Sequence, residues 1–129
     1  MLDKNLLTDI DIFFSLNQSF KIGITGTNAK SSLTHYLSQI LNSRSTAISL
    51  GNIGKPLLEN LNHKNKYSVI ELSSFQLEKM QGNELNLSLI TNISKDHIDY
   101  HEDFESYKSC KFKIMKTKTF IIFGSCDQE

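Results

Sequence analysis

Gly26, Lys30 and Ser31 stand in that order within ITGTNAKSSLTHYL, residues 24–37, between a short apolar run and a segment of helical periodicity. A glycine turn, a lysine and a hydroxyl at the mouth of a helix suit phosphate chemistry. Successive backbone N–H groups and the helix N-terminus point at an anion, the lysine neutralises it, and the hydroxyl can reach a magnesium ion. Ala29 and Ile24 occupy positions where the common form of such a loop has glycine. An alanine methyl fits if Ala29 keeps a negative φ, and is strained if the loop requires a positive one. The competing reading is an ordinary strand–turn–helix junction with a surface lysine.

Three more polar stretches follow apolar runs. GNIGKP carries Asn52 between glycines, ELSSFQLE begins at Glu71, and TNISKDHIDYH carries Asp96, His97 and Asp99. In open α/β sheets ligands gather at the carboxyl ends of strands, so these stretches are expected on the same rim as the loop. A carboxylate and an imidazole facing a triphosphate suit a divalent cation. Each also has a plain structural alternative: Glu71 as an ion-paired or helix-capping carboxylate, Asn52 as support for a turn. His97 and His101 share helical spacing, but no glutamate lies between them and no cysteine cluster is near, which disfavours zinc. Cys110 and Cys126 have neither ligand spacing nor a disulfide framework and read as free thiols.

Lys111 stands out within DFESYKSCKFKIM, Asp103–Met115, which reads as a helix with an acidic start. Phe104, Tyr107, Ile114 and Met115 define its apolar face, with Lys111 in the middle and Lys113 and Lys116 on the solvated side. Desolvation there lowers an ammonium pKa and favours the neutral, nucleophilic amine. The alternative is a snorkelling stem with its charge at the rim.

The elements that must hold these residues alternate. FKIGIT (Phe20–Thr25), TAISLG (Thr46–Gly51), YSVIELS (Tyr67–Ser73), LSLITNI (Leu87–Ile93) and TFIIFG (Thr119–Gly124) read as strands. A helix follows from Ser31, with Leu33, Leu37, Ile40 and Leu41 on one face, and KPLLENL (Lys55–Leu61) reads as a short helix with Pro56 in its first turn. Continuous apolar strands alternating with helices predict an α/β, P-loop-type, mostly parallel sheet with helices on both faces. The last strand runs into the terminus without a closing helix, so the sheet reads as incomplete at its C-terminal end. Residues 1–19 read as a lead-in helix or linker, and residues 20–129 as the domain proper.

Fourteen basic residues balance fourteen acidic ones, so no global field points to nucleic acid or an anionic membrane as partner. No apolar run approaches the roughly 20 residues needed to cross a bilayer, and no secretory leader is visible.

In order and spacing, GTNAKSS, GNIGKP, ELSSFQLE, NISKDHIDYH and YKSCKFKI together resemble the Mur ligases, and SSFQLE resembles the members that add D-glutamate. The resemblance implies cytoplasmic peptidoglycan precursor synthesis: ATP and Mg2+ phosphorylate the carboxylate of UDP-N-acetylmuramoyl-L-alanine, and D-glutamate displaces the phosphate to form an amide. It implies an ATP loop made of Gly26, Thr27, Asn28, Ala29, Lys30, Ser31 and Ser32, with Lys30 on the β/γ-phosphates. It implies metal ligation by Ser31, Glu71, His97 and a carbamylated Lys111, catalytic roles for Lys30, His97 and Lys111, and a substrate contact from Asn52. The family enzymes are several times longer, which makes this chain the opening part of their central domain, expected to be inactive alone and to need a complementary C-terminal fragment. A small stand-alone P-loop nucleotide-binding protein and a non-catalytic remnant are the rival readings.

Overall fold

The computed structural model describes residues 7–51, 55–81, 85–94, 105 and 120–126. Its strands are β1 (Phe20–Thr25), β2 (Ala47–Gly51), β3 (Tyr67–Glu71), β4 (Leu87–Ile93) and β5 (Phe120–Cys126), in the spatial order β2-β3-β1-β4-β5. Every pairing among them is parallel. The register sets Ile24 opposite Glu71 and Gly51 opposite Glu71, so β1, β2 and β3 end level with one another. That alignment gathers their carboxyl ends on one rim.

The strands divide their apolar residues between two faces because successive side chains point in opposite directions. Ile22, Ile24, Val69 and Leu89 face one side, under Leu33, Leu37 and Leu41 of α2 (Lys30–Asn42). Leu50, Ile70 and Ile90 face the other, where Leu72 just past β3 and Ile93 at the end of β4 join a cluster with Ile10, Phe13 and Phe14 of α1 (Asp9–Leu16) and Leu77 of α3 (Ser74–Lys79). Helices therefore cover both faces.

A helix as short as α1 is marginal by itself. A Thr8–Asp11 capping box closes its N-terminus, and burial of Ile10 and Phe13 contributes roughly 1.5–3 kcal/mol each. Asp11 also accepts the Gln81 N–H at 3.0 Å, tying α1 to the chain beyond α3. The lead-in stretch thus feeds the main core. The helix α3 was not foreseen from periodicity; its Ser73–Gln76 capping box is the local signal that starts it.

Two expectations change in detail. KPLLENL forms only a 3-10 turn at Leu58–Asn60. Lys55 instead bridges in parallel to Leu50, with Gly51 N–H donating to the Lys55 carbonyl at 3.1 Å, so the start of that stretch is drawn to the sheet edge. On α2, Ile40 is 64 % exposed rather than inward. The buried face turns toward Thr34 and Ser38, whose hydroxyls bond the Lys30 and Thr34 carbonyls at 2.7 and 2.8 Å. Small, self-satisfied side chains let the helix approach β2 closely, where Ser38 and Ser49 share a 2.6 Å hydroxyl contact. The expected helix Asp103–Met115 lies outside the described residues apart from Glu105, which is helical.

Candidate nucleotide-binding site

The loop between β1 and α2 sits on the rim where β1, β2 and β3 end. It opens with Gly26 at φ 146°, a conformation open to glycine, and a Cβ there would collide with Thr91 Oγ1. Three residues on, Ala29 lies in the left-handed region at φ 67°, ψ 10°. The loop therefore requires the positive φ that an alanine resists. From Lys30 the chain is helical, and the first N–H groups of a helix have no intrahelical acceptor.

Lys30 folds back over this turn. Its ammonium donates to the Gly26 carbonyl at 2.8 Å and to the Thr27 carbonyl at 3.4 Å. Desolvation by burial pushes its pKa below the ordinary 10.5, and the Glu71 carboxylate works in the opposite direction. An anion placed in the loop would add to the counter-charge that Glu71 gives this half-buried ammonium.

Glu71 ends β3 and is 2 % exposed. The Ser31 hydroxyl lies 3.2 Å from both of its carboxylate oxygens. Gly51, at φ 108°, lets β2 come this close, because a Cβ there would strike the Glu71 carbonyl. A buried carboxylate beside a serine hydroxyl is a pair of hard oxygen donors, which fits magnesium in chemical type. Among the described residues no three His, Cys, Asp or Glu side chains cluster as a metal site.

The structure thus brings Gly26, Thr27, Asn28, Ala29, Lys30, Ser31 and Ser32 together with Glu71. Asn52, His97 and Lys111 lie outside the described residues. Sequence reading placed TNISKDHIDYH on this rim for Asp96, His97 and Asp99 but gave no role to Thr91 and Asn92 at its start. Thr91 Oγ1 donates to the Asn28 carbonyl at 2.6 Å, Asn92 Oδ1 accepts the Asn28 N–H at 2.9 Å, and the Asn92 carbonyl accepts the Thr27 N–H at 2.9 Å. Thr27 Oγ1 in turn accepts the Ser94 N–H at 2.9 Å, while the buried Ser94 hydroxyl finds no partner among the described residues. The available signal was the change from apolar Leu89 and Ile90 to polar Thr91 and Asn92 inside a buried strand.

A parallel sheet covered by helices, with a lysine-bearing loop after its central strand and a buried acid at the end of the next strand, defines an α/β protein with its candidate site on the carboxyl rim of the sheet. Residues 24–127 match the Mur ligase middle domain, and the chain belongs to that family. It is 39% identical over 131 residues to the UDP-N-acetylmuramoylalanine–D-glutamate ligase of Wolbachia pipientis wMel, covering 98% of this chain and 25% of that protein. The ligase of the same name from Rickettsia prowazekii is 40% identical over 111 residues, covering 84% of this chain and 25% of that one. That from Francisella philomiragia is 34% identical over 125 residues, covering 93% and 30%. The chain therefore spans about a quarter to a third of these relatives' length. Among solved structures, MurF ligase from Thermotoga maritima in complex with ADP has a similar fold, with a TM-score of 0.64 at 15% identity, over 86% of this chain and 29% of that one.

Proposed function

We propose that this chain supplies the ATP- and magnesium-binding part of a cytoplasmic ligase that joins D-glutamate to UDP-N-acetylmuramoyl-L-alanine in peptidoglycan precursor synthesis. One observation carries the reading: the Ser31 hydroxyl rests on the buried Glu71 carboxylate beside the loop that Lys30 closes. The names of the relatives support the choice of substrates.

In this reading Gly26–Ser32 wraps the phosphates of ATP and Lys30 leaves the Gly26 carbonyl to meet them. Triphosphate charge then favours the protonated state, against the desolvation that lowers the Lys30 pKa. Ser31 and Glu71, joined by His97 and a carbamylated Lys111, would hold Mg2+, which when bound spreads the charge of the transferring phosphoryl group. Asn52 would contact the muramoyl-alanine end. The substrate carboxylate oxygen attacks the γ-phosphorus and the bond to the β-phosphate oxygen breaks, giving an acyl phosphate and ADP. The amine of D-glutamate then attacks the acyl carbon, phosphate leaves, and the amine proton is lost to solvent or base. Preorganised N–H dipoles and the Lys30 cation stabilise charge that develops on the phosphoryl oxygens.

Amide formation draws on more of the relatives' length than this chain spans, so the chain's own contribution is Mg·ATP binding. The test mixes it with a polypeptide carrying the remaining regions of a relative and measures D-glutamate-dependent phosphate release. Release that disappears with Lys30→Ala supports the proposal. No release, with both pieces folded and each binding its own substrate, counts against it.

A further inference from the structure

The residue before the strained alanine is gripped on both sides by the end of β4. Thr91 Oγ1 donates to the Asn28 carbonyl at 2.6 Å, and that oxygen belongs to the peptide group whose orientation sets φ of Ala29. Asn92 Oδ1 takes the Asn28 N–H at 2.9 Å, fixing the peptide group before it. On the far side, the Ala29 carbonyl accepts the Leu33 N–H at 3.0 Å as the helix begins, which fixes ψ. Ala29 is thus held between two anchored peptide planes. A non-glycine residue stays in the left-handed region only where its surroundings over-determine it.

Thr91 is itself held in place. Gly26 and Gly124 flank it, and a Cβ at either would run into Thr91, at its hydroxyl in the first case and its carbonyl in the second. The hydroxyl therefore has a fixed seat under the loop.

We propose that Thr91 and Asn92 are positioning residues for the phosphate loop, and that they make an alanine workable at position 29 where glycine would need no such support. The proposal rests on the nucleotide-site reading and deepens it: the end of β4 holds the loop in its anion-ready form before any nucleotide arrives. It follows that the clamp and Ala29 are energetically coupled. Removing the clamp frees Ala29 to leave the left-handed region and collapses the loop, whereas a glycine at 29 stays there without help.

A double-mutant cycle on the whole chain tests this, with Thr91→Val, Asn92→Ala and Ala29→Gly, alone and combined. Three quantities are read: the urea midpoint, amide exchange at Asn28 and titration with Mg·ATP. In the Ala29 background each clamp variant should weaken Mg·ATP binding about tenfold, the equivalent of one well-made hydrogen bond. In the Ala29→Gly background the loss should fall below about threefold, which a merely structural role for β4 would not produce. Thr91→Ser, which keeps the hydroxyl, should bind as the parent does. Equal losses in the two backgrounds, in binding and in urea midpoint, overturn the proposal. Should Thr91→Val fail to fold, Asn92→Ala completes the same cycle. If the parent chain binds no Mg·ATP, the urea and Asn28 exchange cycles still decide: coupling there keeps the clamp and discards the nucleotide reading, and additivity discards the clamp.

Discussion

Ala29→Gly is the substitution whose effect follows most directly from the coordinates. At φ 67° the alanine Cβ crowds the neighbouring carbonyl, which costs an L-residue about 1–2 kcal/mol relative to the right-handed region. Glycine removes that cost but adds freedom to the unfolded chain, about 0.4–1 kcal/mol in the opposite direction. Ala29 is exposed, so deleting its methyl leaves no cavity. The net expectation is a gain of about 0.5–1 kcal/mol, or roughly 2–4 °C in Tm for a domain of this size. Gln39→Gly is the control, an exposed residue inside α2, where glycine should cost about 0.5–1 kcal/mol. Urea unfolding followed by far-UV circular dichroism reads both. Opposite signs at the two positions are expected. A loss of stability in Ala29→Gly similar to that in Gln39→Gly would show that Ala29 bears no left-handed strain and refute the reasoning.

Lys30→Met should abolish Mg·ATP binding without lowering stability, because a desolvated ammonium is replaced by an apolar chain of similar length; calorimetric titration and urea unfolding check the two halves. Glu71→Gln should lower the Lys30 pKa further, since the carboxylate is what raises it, and nuclear magnetic resonance titration of the lysine side chain reads the shift. His63 has its pKa pushed below 6.5, first by desolvation and then by the Lys21 charge. Between that lowered value and 6.5 the unfolded chain holds more protons than the native one, so stability should rise with pH across this window and flatten in His63→Gln. Gly51→Ala should destabilise by about 2–4 kcal/mol, because a Cβ at φ 108° meets the Glu71 carbonyl, and the urea midpoint checks it.

The architecture was legible because buried parallel strands advertise themselves: Phe20–Thr25 and Leu87–Ile93 appear in the structure with the bounds that their apolar runs suggest. The α/β class and helices on both faces followed from the same alternation. Local chemistry was harder to read. Ile40 repeats at helical spacing, yet the hydroxyls of Thr34 and Ser38 turn α2 so that it faces solvent, and periodicity of apolar residues carries no trace of that. At the site, Lys30, Ser31 and Glu71 announced themselves by type and by their place at strand ends. Thr91 and Asn92 did not, because their work is done through the backbone of Asn28, and contacts between residues 63 or 64 positions apart leave no local pattern. The φ of Ala29 was equally closed to sequence, since it depends on which peptide planes β4 anchors.

Isothermal titration of the isolated chain with ATP, in Mg2+ and then in excess chelator, addresses the core of the account. Saturable binding to one site is expected in Mg2+, sharply weakened by chelator and by Glu71→Ala, and absent in Lys30→Ala. A folded chain that takes up no ATP at millimolar concentration, or binds it equally well without Lys30, would contradict it.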